Sequence, residues 1–252
     1  MSLHVTRPAE GVALIEIDNP PANALGSAMR ARMTALLDEL EADFSVRAVV
    51  LTGRGKAFCT GDDLREAAAH GTVSPRAVAD FNAMLDRLEA FRAPIVAAVN
   101  GHCIGGGLEV ALACDIRLAS AKASFTAAGV NVGLMASAYR LPRVIGVARA
   151  KVMLLTGLPV TAEAALGADL VTAVHEPDAL LEAAIGLAAR IASRAPLSVE
   201  ATKRIAGRAL DMDRDEAAKA IAAEIEALSA SEDHAGAVAA FIERREPSFS
   251  RR

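Results

Sequence analysis

The sequence predicts one large α/β domain whose last third is almost entirely helical. Short apolar segments rich in Val, Ile and Ala alternate with amphipathic segments in the first part of the chain, which is typical of parallel strands joined by helices. Beyond Arg140 only helical periodicity recurs. The length of 252 residues is enough to bury a core without disulfides or metals.

The first predicted unit is a strand, a helix and a strand. Residues 12–18 form an apolar, partly β-branched segment, and Pro20 and Pro21 end it because proline cannot donate to a strand ladder. Residues 46–52 predict a second buried strand that ends at a glycine-bearing turn. Between them, apolar residues recur at helical spacing at Met29, Met33, Leu36, Leu37 and Leu40.

The second predicted unit repeats this order. Residues 77–91 predict an amphipathic helix, 94–99 a buried strand, and 100–107 a glycine-rich turn before an apolar helix at 107–114. Strands that alternate with helices imply right-handed crossovers. The later helices are predicted at 147–156, 161–166, 179–195, 198–210, 214–229 and 233–243.

Composition and charge exclude several classes of partner. The net charge of -4 and the absence of Trp disfavour nucleic-acid binding, which needs clustered cations or stacking aromatics. Cys59, Cys103 and Cys114 lack metal-site spacing and are predicted to be core thiols. The N-terminus has no basic run before an apolar segment, and no apolar stretch is long enough to cross a bilayer. We therefore expect a cytoplasmic protein with no membrane, nucleic-acid or metal partner.

Two glycine-bearing loops carry the chemical signal. Residues 56–64 (KAFCTGDDL) follow one predicted strand, and residues 100–109 (NGHCIGGGLE) follow another. If the strands are neighbours, the two turns lie side by side. Glycines at the helix entrance let an N–H near Gly106 approach a ligand, and the helix dipole favours developing negative charge there. An oxyanion hole requires this, although three glycines alone more often serve tight packing.

The paired motifs AFCTGDDL and NGHCIGGGLEVALACDIRLAS resemble the signature of the crotonase (enoyl-CoA hydratase/isomerase) superfamily. The likeness extends from about Val12 to AAFIERREPSF near the C-terminus. It implies a spiral of ββα turns with two roughly perpendicular sheets. It further implies that residues 1–195 form the core with an acyl-CoA site, and that 196–252 form a helical region assembling a homotrimer or homohexamer. Coenzyme A would enter as part of the substrate, with no separate cofactor.

Carried over by position, the resemblance implies that the N–H groups of Asp62 and Gly106 hold the thioester oxygen and that Glu109 is the base. His102 is interpreted instead as an ordinary loop histidine. The residues implied to bind the substrate are Ala22, Ala24, Leu25, Lys56, Ala57, Phe58, Thr60, Gly61, Asp63, Leu64, Arg65, Gly105, Gly129 and Val132.

Charged residues for the coenzyme A phosphates are less sharply predicted. Lys56, Arg65, Arg244 and Arg245 are candidates, because arginine and lysine are the usual partners of phosphate. For Lys56, Arg244 and Arg245, the interpretation as ordinary solvent-exposed charges is slightly favoured over phosphate binding. For Arg65 it is not.

The chain departs from the family pattern at two positions. Asp62 places a carboxylate where a small or apolar residue is usual, and it either pairs with an arginine or faces the acyl group and carries a proton. The second family glutamate falls on Gly129, and no Asp or Glu occurs between Asp115 and Glu163.

The segment 134–140 after this position also looks shorter than the family stretch. Ordered water, Asn131, Tyr139 or Asp62 could substitute for the missing group, although each of the three residues is more readily interpreted as structural.

Enoyl-CoA hydratase is the leading functional hypothesis, with a backbone oxyanion hole and Glu109. Isomerase, decarboxylase and thioester hydrolase remain open, because one carboxylate could serve each of them. A non-catalytic acyl-CoA-binding protein is the alternative from another class, with Gly129 marking lost activity. An RNA-binding relative is disfavoured by the acidic charge balance.

Overall fold

The computed structural model describes residues 2–69 and 74–252, which form two β-sheets and surrounding helices. The strands are β1 Ser2–Ala9, β2 Val12–Asp18, β3 Ala48–Gly53, β4 Ala57–Cys59, β5 Ile95–Val99, β6 His102–Ile104, β7 Ile116–Ser120, β8 Ser124–Thr126, β9 Val160–Thr161 and β10 Ala173–His175. The helices are α1 Ser27–Ala42, α2 Leu64–Ala69, α3 Pro75–Ala90, α4 Gly106–Ala113, α5 Arg140–Ile145, α6 Val147–Thr156, α7 Ala162–Gly167, α8 Leu180–Ala192, α9 Pro196–Gly207, α10 Arg214–Ser229 and α11 Glu232–Ile242. A 3₁₀ turn spans Ala128–Val132.

The chain moves between the two sheets in a regular spiral. The larger sheet has the order β1-β2-β3-β5-β7-β10, and the smaller has the order β4-β6-β8-β9. Each of β3, β5 and β7 is followed at once by a strand of the smaller sheet, and then by a helix or the 3₁₀ turn. The inner pairs are parallel, while β1 and β9 add antiparallel edges. This arrangement confirms the predicted α/β spiral of ββα turns.

The larger sheet is buried on both faces. In β2, Ala13, Ile15 and Ile17 face the main core, whereas Val12 and Leu14 face the opposite side. This alternation follows from the two-residue period of a strand. The opposite side is covered by a stripe on α8 with four-residue spacing, made of Leu180, Ala184, Ala188 and Ala192.

The predicted elements match the structure where the apolar pattern was long. The predicted bounds of β2, α6 and α10 agree with the structure, and the remaining predicted helices and strands are present with small shifts at their ends. The predictions missed β1, β4, β6, β7, β8, β9 and β10, as well as α2 and α5. Most of these are short, and β1 is largely polar, so pairing with a neighbouring strand stabilises them rather than their own pattern.

The C-terminal part confirms the predicted run of helices, and several apolar side chains there face outwards. None of the helices within 2–69 and 74–252 is long and apolar enough to cross a membrane. Helix α10 buries no side chain in this chain, and Phe241 of α11 is 85% exposed. Other exposed apolar residues in this part are Leu210, Ile225 and Ile242.

The three cysteines are free and buried, as predicted for core thiols. Burial raises the pKa of the Cys59 and Cys114 thiols to about 12. Burial also raises the pKa of the Cys103 thiol, so the thiolate forms of all three cysteines are disfavoured.

We expect Gly107→Ala to destabilise the fold, because a Cβ on Gly107 would lie 1.9 Å from the Cys59 carbonyl oxygen. Overpacking against backbone should lower the free energy of unfolding by about 1–3 kcal/mol or more. Gly186→Ala is the matched control, since Gly186 lies in α8 with no atom within 4 Å of an added Cβ. That change should stabilise α8 by about 0.5–1 kcal/mol. Denaturant unfolding measures both, and equal stabilities would contradict the contact.

Candidate active site

The two glycine-bearing loops lie side by side, as expected if the strands before them are neighbours. Strands β4 and β6 pair in parallel, with Ala57 opposite His102. Gly61 has a φ of +83°, and a Cβ added to it would lie 2.5 Å from the Gly106 nitrogen. A Cβ added to Gly106 would lie 3.0 Å from the Gly61 Cα. Two backbones can approach this closely only when neither residue carries a side chain.

The N–H groups of Asp62 and Gly106 are free donors at this contact. Their neighbours are engaged, because Gly105 N donates to Thr126 O over 2.9 Å and Gly61 N donates to Cys59 Sγ over 3.4 Å. Within residues 2–69 and 74–252, neither the Asp62 nor the Gly106 N–H has an acceptor. Gly106 is also the first residue of α4, where the helix dipole favours negative charge. The pair can hold an oxygen that develops negative charge.

A loop containing Asn23 holds the first glycine-bearing loop in place. Asn23 is buried with a φ of 55°, and its Nδ2 donates to Ala57 O over 2.7 Å and to Arg54 O over 3.0 Å. Leu25 N donates to Gly61 O over 2.7 Å. Asparagine tolerates the left-handed conformation better than most residues. The sequence predicts Asn23 in a loop, but no pattern in it indicates these hydrogen bonds.

Asp62 pairs with an arginine, which is one of the two alternatives left open by the sequence. Its Oδ1 lies 2.5 Å from Nη1 of Arg30, and Arg30 also donates to Leu25 O over 3.0 Å. Burial raises the pKa of Asp62, and the Arg30 charge opposes that rise. Arg30 is only 6% exposed and lies in α1 beside Phe81 of α3. Arg30 was not predicted as a site residue, although its position beside the apolar stripe of a helix is a signal visible in the sequence.

We expect Arg30→Met to lower kcat/KM by about 10- to 100-fold, because a hydrogen-bonded charge is lost and the Asp62 carboxylate is left without its cation beside the free amides. The double variant Arg30→Met with Asp62→Asn should recover most of this loss, since it removes the unpaired charge. Asp62→Asn alone keeps the backbone N–H and serves as the matched control. Steady-state kinetics with an enoyl-CoA measures all three. A double variant as slow as Arg30→Met would show that the charge is not the cause.

Glu109 lies in the first turn of α4, where the sequence predicted it, and two groups of the segment after the 3₁₀ turn hold its carboxylate. Oε1 accepts a hydrogen bond from Ser137 N, and Oε2 lies 3.6 Å from Nη1 of Arg140. The Glu109 side chain is 13% exposed, and Oε2 has no hydrogen-bond partner among the described residues. The carboxylate is therefore covered on most sides and oriented through Oε1.

Arg140 connects Glu109 to α3. Its Nε donates to Glu89 Oε1 over 2.6 Å, and its Nη2 donates to Asp86 Oδ1 over 3.1 Å. Burial opposes the charge of Arg140, but its hydrogen bond with Glu89 and the surrounding carboxylates raise the pKa of the guanidinium overall. The guanidinium therefore stays charged beside Glu109. Neither Arg140 nor Ser137 was predicted as a site residue, because their positions after a shortened loop carry no pattern of their own.

Gly129 shows why no second glutamate occupies the site. It is buried in the 3₁₀ turn, and a Cβ added to it would lie 2.7 Å from Ala136 N and 2.9 Å from Leu134 O. Leu134 N also donates to Gly129 O over 2.8 Å. The segment 134–136 thus packs directly on Gly129. The close packing of this segment therefore leaves no space for a glutamate at position 129.

We expect Gly129→Glu to destabilise the fold without increasing hydration, because the added side chain meets backbone atoms of residues 134–136. The free energy of unfolding should fall by about 1–3 kcal/mol or more. Val130→Glu adds a carboxylate at the neighbouring, exposed position and should change stability by no more than about 0.5 kcal/mol. Thermal unfolding and a hydration assay of both variants check this. A stable Gly129→Glu variant with faster hydration would mean that the segment opens readily.

Three other residues considered from sequence have structural partners elsewhere. Asn131 Nδ2 donates to Gly157 O over 3.0 Å. Tyr139 is exposed, with the Arg143 guanidinium 5.0 Å from its ring centroid. His102 lies on β6, where Nδ1 and the Ser124 hydroxyl are 2.9 Å apart. The structure brings none of these three into hydrogen-bond contact with Glu109 within the described residues.

The predicted substrate-binding residues surround the first loop in different ways. The side chains of Leu25, Ala57 and Phe58 belong to the core, so in this conformation they present only backbone atoms to a ligand. Thr60 Oγ1 donates to Ala22 O over 3.0 Å. Exposed or partly exposed positions are Ala22, Ala24, Lys56, Thr60, Asp63, Arg65, Gly105 and Val132. The side chain of Leu64 lies outside what the structure describes, and Arg244 and Arg245 are exposed beyond α11.

The fold and the site together define an enzyme-like ββα spiral with paired backbone donors and a nearby carboxylate. The family model described as enoyl-CoA hydratase/isomerase matches residues 7–252. The chain belongs to this family, within the crotonase superfamily, as its paired motifs predicted.

Individual relatives cover nearly the whole chain. The short-chain-enoyl-CoA hydratase of Clostridium acetobutylicum is 38% identical over 243 residues, covering 93% of this chain and 92% of that protein. The (E)-benzylidenesuccinyl-CoA hydratase of Thauera aromatica is 39% identical over 244 residues, covering 94% and 95%. The crystal structure of an enoyl-CoA hydratase from Bacillus anthracis superposes with a TM-score of 0.95 at 31% identity, covering 100% of both chains.

Proposed function

We propose that this protein is an acyl-CoA-processing lyase that adds water to the double bond of a 2-enoyl-CoA. The observation that carries the proposal is the placement of two free N–H donors, on Asp62 and Gly106, in the helix-entrance turn that also leads to Glu109. Membership of the enoyl-CoA hydratase/isomerase family supports it, as do relatives named as hydratases of several enoyl-CoA compounds.

In this proposal the two N–H groups bind the thioester oxygen and stabilise the charge that develops on it during addition. Glu109 takes a proton from water, and the water oxygen forms a bond to C3 while the C2=C3 π electrons move towards the thioester. The resulting enolate then takes a proton at C2 from the protonated Glu109. Water is thereby added across the double bond, and Glu109 returns to its starting form.

Exposed side chains around the site support a substrate with an apolar acyl group carried on coenzyme A. Lys56 and Arg65 are exposed there and are proposed to contact the coenzyme A phosphates. Val130 and Val132 of the 3₁₀ turn, and Met135 of the segment that packs on Gly129, are exposed apolar side chains. They favour an apolar acyl group, because contact with such a group would remove their surface from water.

The exposed apolar residues of α10 and α11 support the proposed assembly into a homotrimer or homohexamer. Ile225, Phe241 and Ile242 would be buried between subunits, whereas a monomer leaves them in water. A cytoplasmic location is proposed on the ground that the three cysteines are free rather than paired.

We expect purified protein to convert crotonyl-CoA, or a longer 2-enoyl-CoA, into a product heavier by one water. The conjugated enoyl absorbance should fall as the product forms. Glu109→Gln is the matched variant, since it keeps the shape of the side chain and removes the base, and it should lower kcat by about 10²- to 10⁴-fold. Absorbance and mass spectrometry follow the reaction. Undiminished turnover in Glu109→Gln would reject the base role of Glu109.

Enoyl-CoA isomerisation is the second candidate, and Gly129 is the observation that favours it. Moving a double bond needs one group that carries a proton between two carbons, so a single carboxylate is sufficient. A 3-enoyl-CoA would then gain conjugated absorbance with no change in mass. Tight binding of acyl-CoA without any change in absorbance or mass would instead support a non-catalytic binding protein.

A further inference from the structure

Two buried side-chain oxygen atoms at Glu109 and its neighbour Ser137 have no hydrogen-bond partner among the described residues. They are Glu109 Oε2 and Ser137 Oγ, and neither has a partner within residues 2–69 and 74–252. Ser137 is only 1% exposed. Buried polar groups are rarely left without a partner, and where they occur a water or ligand commonly satisfies them.

The two oxygens belong to residues that are already in contact. Ser137 N donates to Glu109 Oε1, so the residue with the unpartnered hydroxyl directly contacts the residue with the unpartnered Oε2. Arg140 lies 3.6 Å from Oε2, which provides charge but no hydrogen bond. A small polar molecule between the two oxygens would satisfy both of them at once.

The backbone of Ser137 adds an independent observation. Its φ is +60°, in the left-handed region that glycine adopts at little cost and serine adopts under strain. Its carbonyl accepts from Leu141 N over 3.1 Å at the start of α5. Residues in such strained conformations persist only where the surrounding structure holds them in place. They cluster at functional sites.

We propose that Ser137 Oγ and Glu109 Oε2 together bind the water molecule that is added to the substrate. This proposal rests on the proposed hydratase function and names the group that replaces the second carboxylate. Gly129 cannot provide that carboxylate, since the backbone of residues 134–136 fills the space of any side chain there. The same segment brings Ser137 into contact with Glu109, so one loop both excludes a side chain at position 129 and supplies the hydroxyl.

The chemistry assigns different tasks to the two residues. A serine hydroxyl does not ionise near neutral pH and is a poor base, so Ser137 orients the water through a hydrogen bond. Glu109 Oε2 removes the proton from that water as the O–C3 bond forms, and the same proton passes to C2. Glu109 therefore acts as base and then as acid, and Ser137 contacts only the nucleophile.

Two variants isolate the hydroxyl. Ser137→Gly and Ser137→Ala both keep the N–H that holds Glu109 Oε1, and both remove Oγ. Ser137→Gly relieves the backbone strain, whereas Ser137→Ala keeps it, so their stabilities should differ while their chemistry should not. We expect both to lower kcat for hydration by about 10- to 100-fold, with unchanged affinity for the acyl-CoA.

A second reaction of the same site separates water binding from placement of Glu109. Exchange of the C2 protons of butyryl-CoA in D₂O uses the paired amides and Glu109 but no added water. We expect this exchange, followed by mass spectrometry, to be unchanged in both variants. A parallel fall of exchange and hydration would overturn the proposal, because Ser137 would then act only by positioning Glu109. Full hydration activity in Ser137→Gly would overturn it as well.

Crystal structures of the wild-type enzyme and Ser137→Gly test the water site without relying on turnover. We expect ordered water within about 2.6–3.2 Å of both Ser137 Oγ and Glu109 Oε2 in the wild type, and its loss in Ser137→Gly. A Ser137 hydroxyl bonded to another protein group, or no water shared by the two oxygens, would overturn the proposal. Shared water in an enzyme that does not hydrate enoyl-CoA would reject the hydratase function and leave the water site standing.

Discussion

The contact between the Gly61 and Gly106 backbones is the constraint on which the rest of the site depends. A Cβ on either residue would meet backbone atoms of the other loop at 3.0 Å or less. The parallel pairing of β4 and β6 brings the loops together, and the larger sheet holds the strands that precede them. Because the donors are backbone N–H groups, their positions are set by the fold and not by side-chain rotamers. Preorganisation of this kind makes such donors effective on a developing oxyanion.

Asp62 and Glu109 carry two carboxylates near this contact, and an arginine lies beside each of them. Arg30 turns the Asp62 carboxylate towards α1, and Arg140 lies beside Glu109 while pairing with Glu89 of α3. The two cations lie beside different carboxylates. Arg30 offsets the charge of Asp62 beside the paired amides, whereas Arg140 places a positive charge 3.6 Å from Oε2 of Glu109, the proposed base. Each of these carboxylates therefore has a cation beside it.

The segment that follows the 3₁₀ turn both excludes a side chain at position 129 and contacts Glu109. Leu134 and Ala136 pack on Gly129, so a side chain at that position is excluded by backbone rather than by another side chain. The next residues of the same segment then contact Glu109 through Ser137 N and the Arg140 guanidinium. This segment thus places a backbone amide and a cation beside Glu109.

The sequence by itself determined the α/β class, the long strands and helices, the two glycine-bearing loops and the position of Glu109. These features are local, because periodicity, glycine placement and motif spacing depend only on residues that are close together in the chain. Only the tertiary structure decided that Asp62 pairs with Arg30, that Gly129 has no space for a side chain, and that Ser137 and Arg140 reach Glu109. Short strands such as β4 and β6 belong to this second group. Each depends on contacts between residues far apart in the chain, which the packing of the whole domain determines.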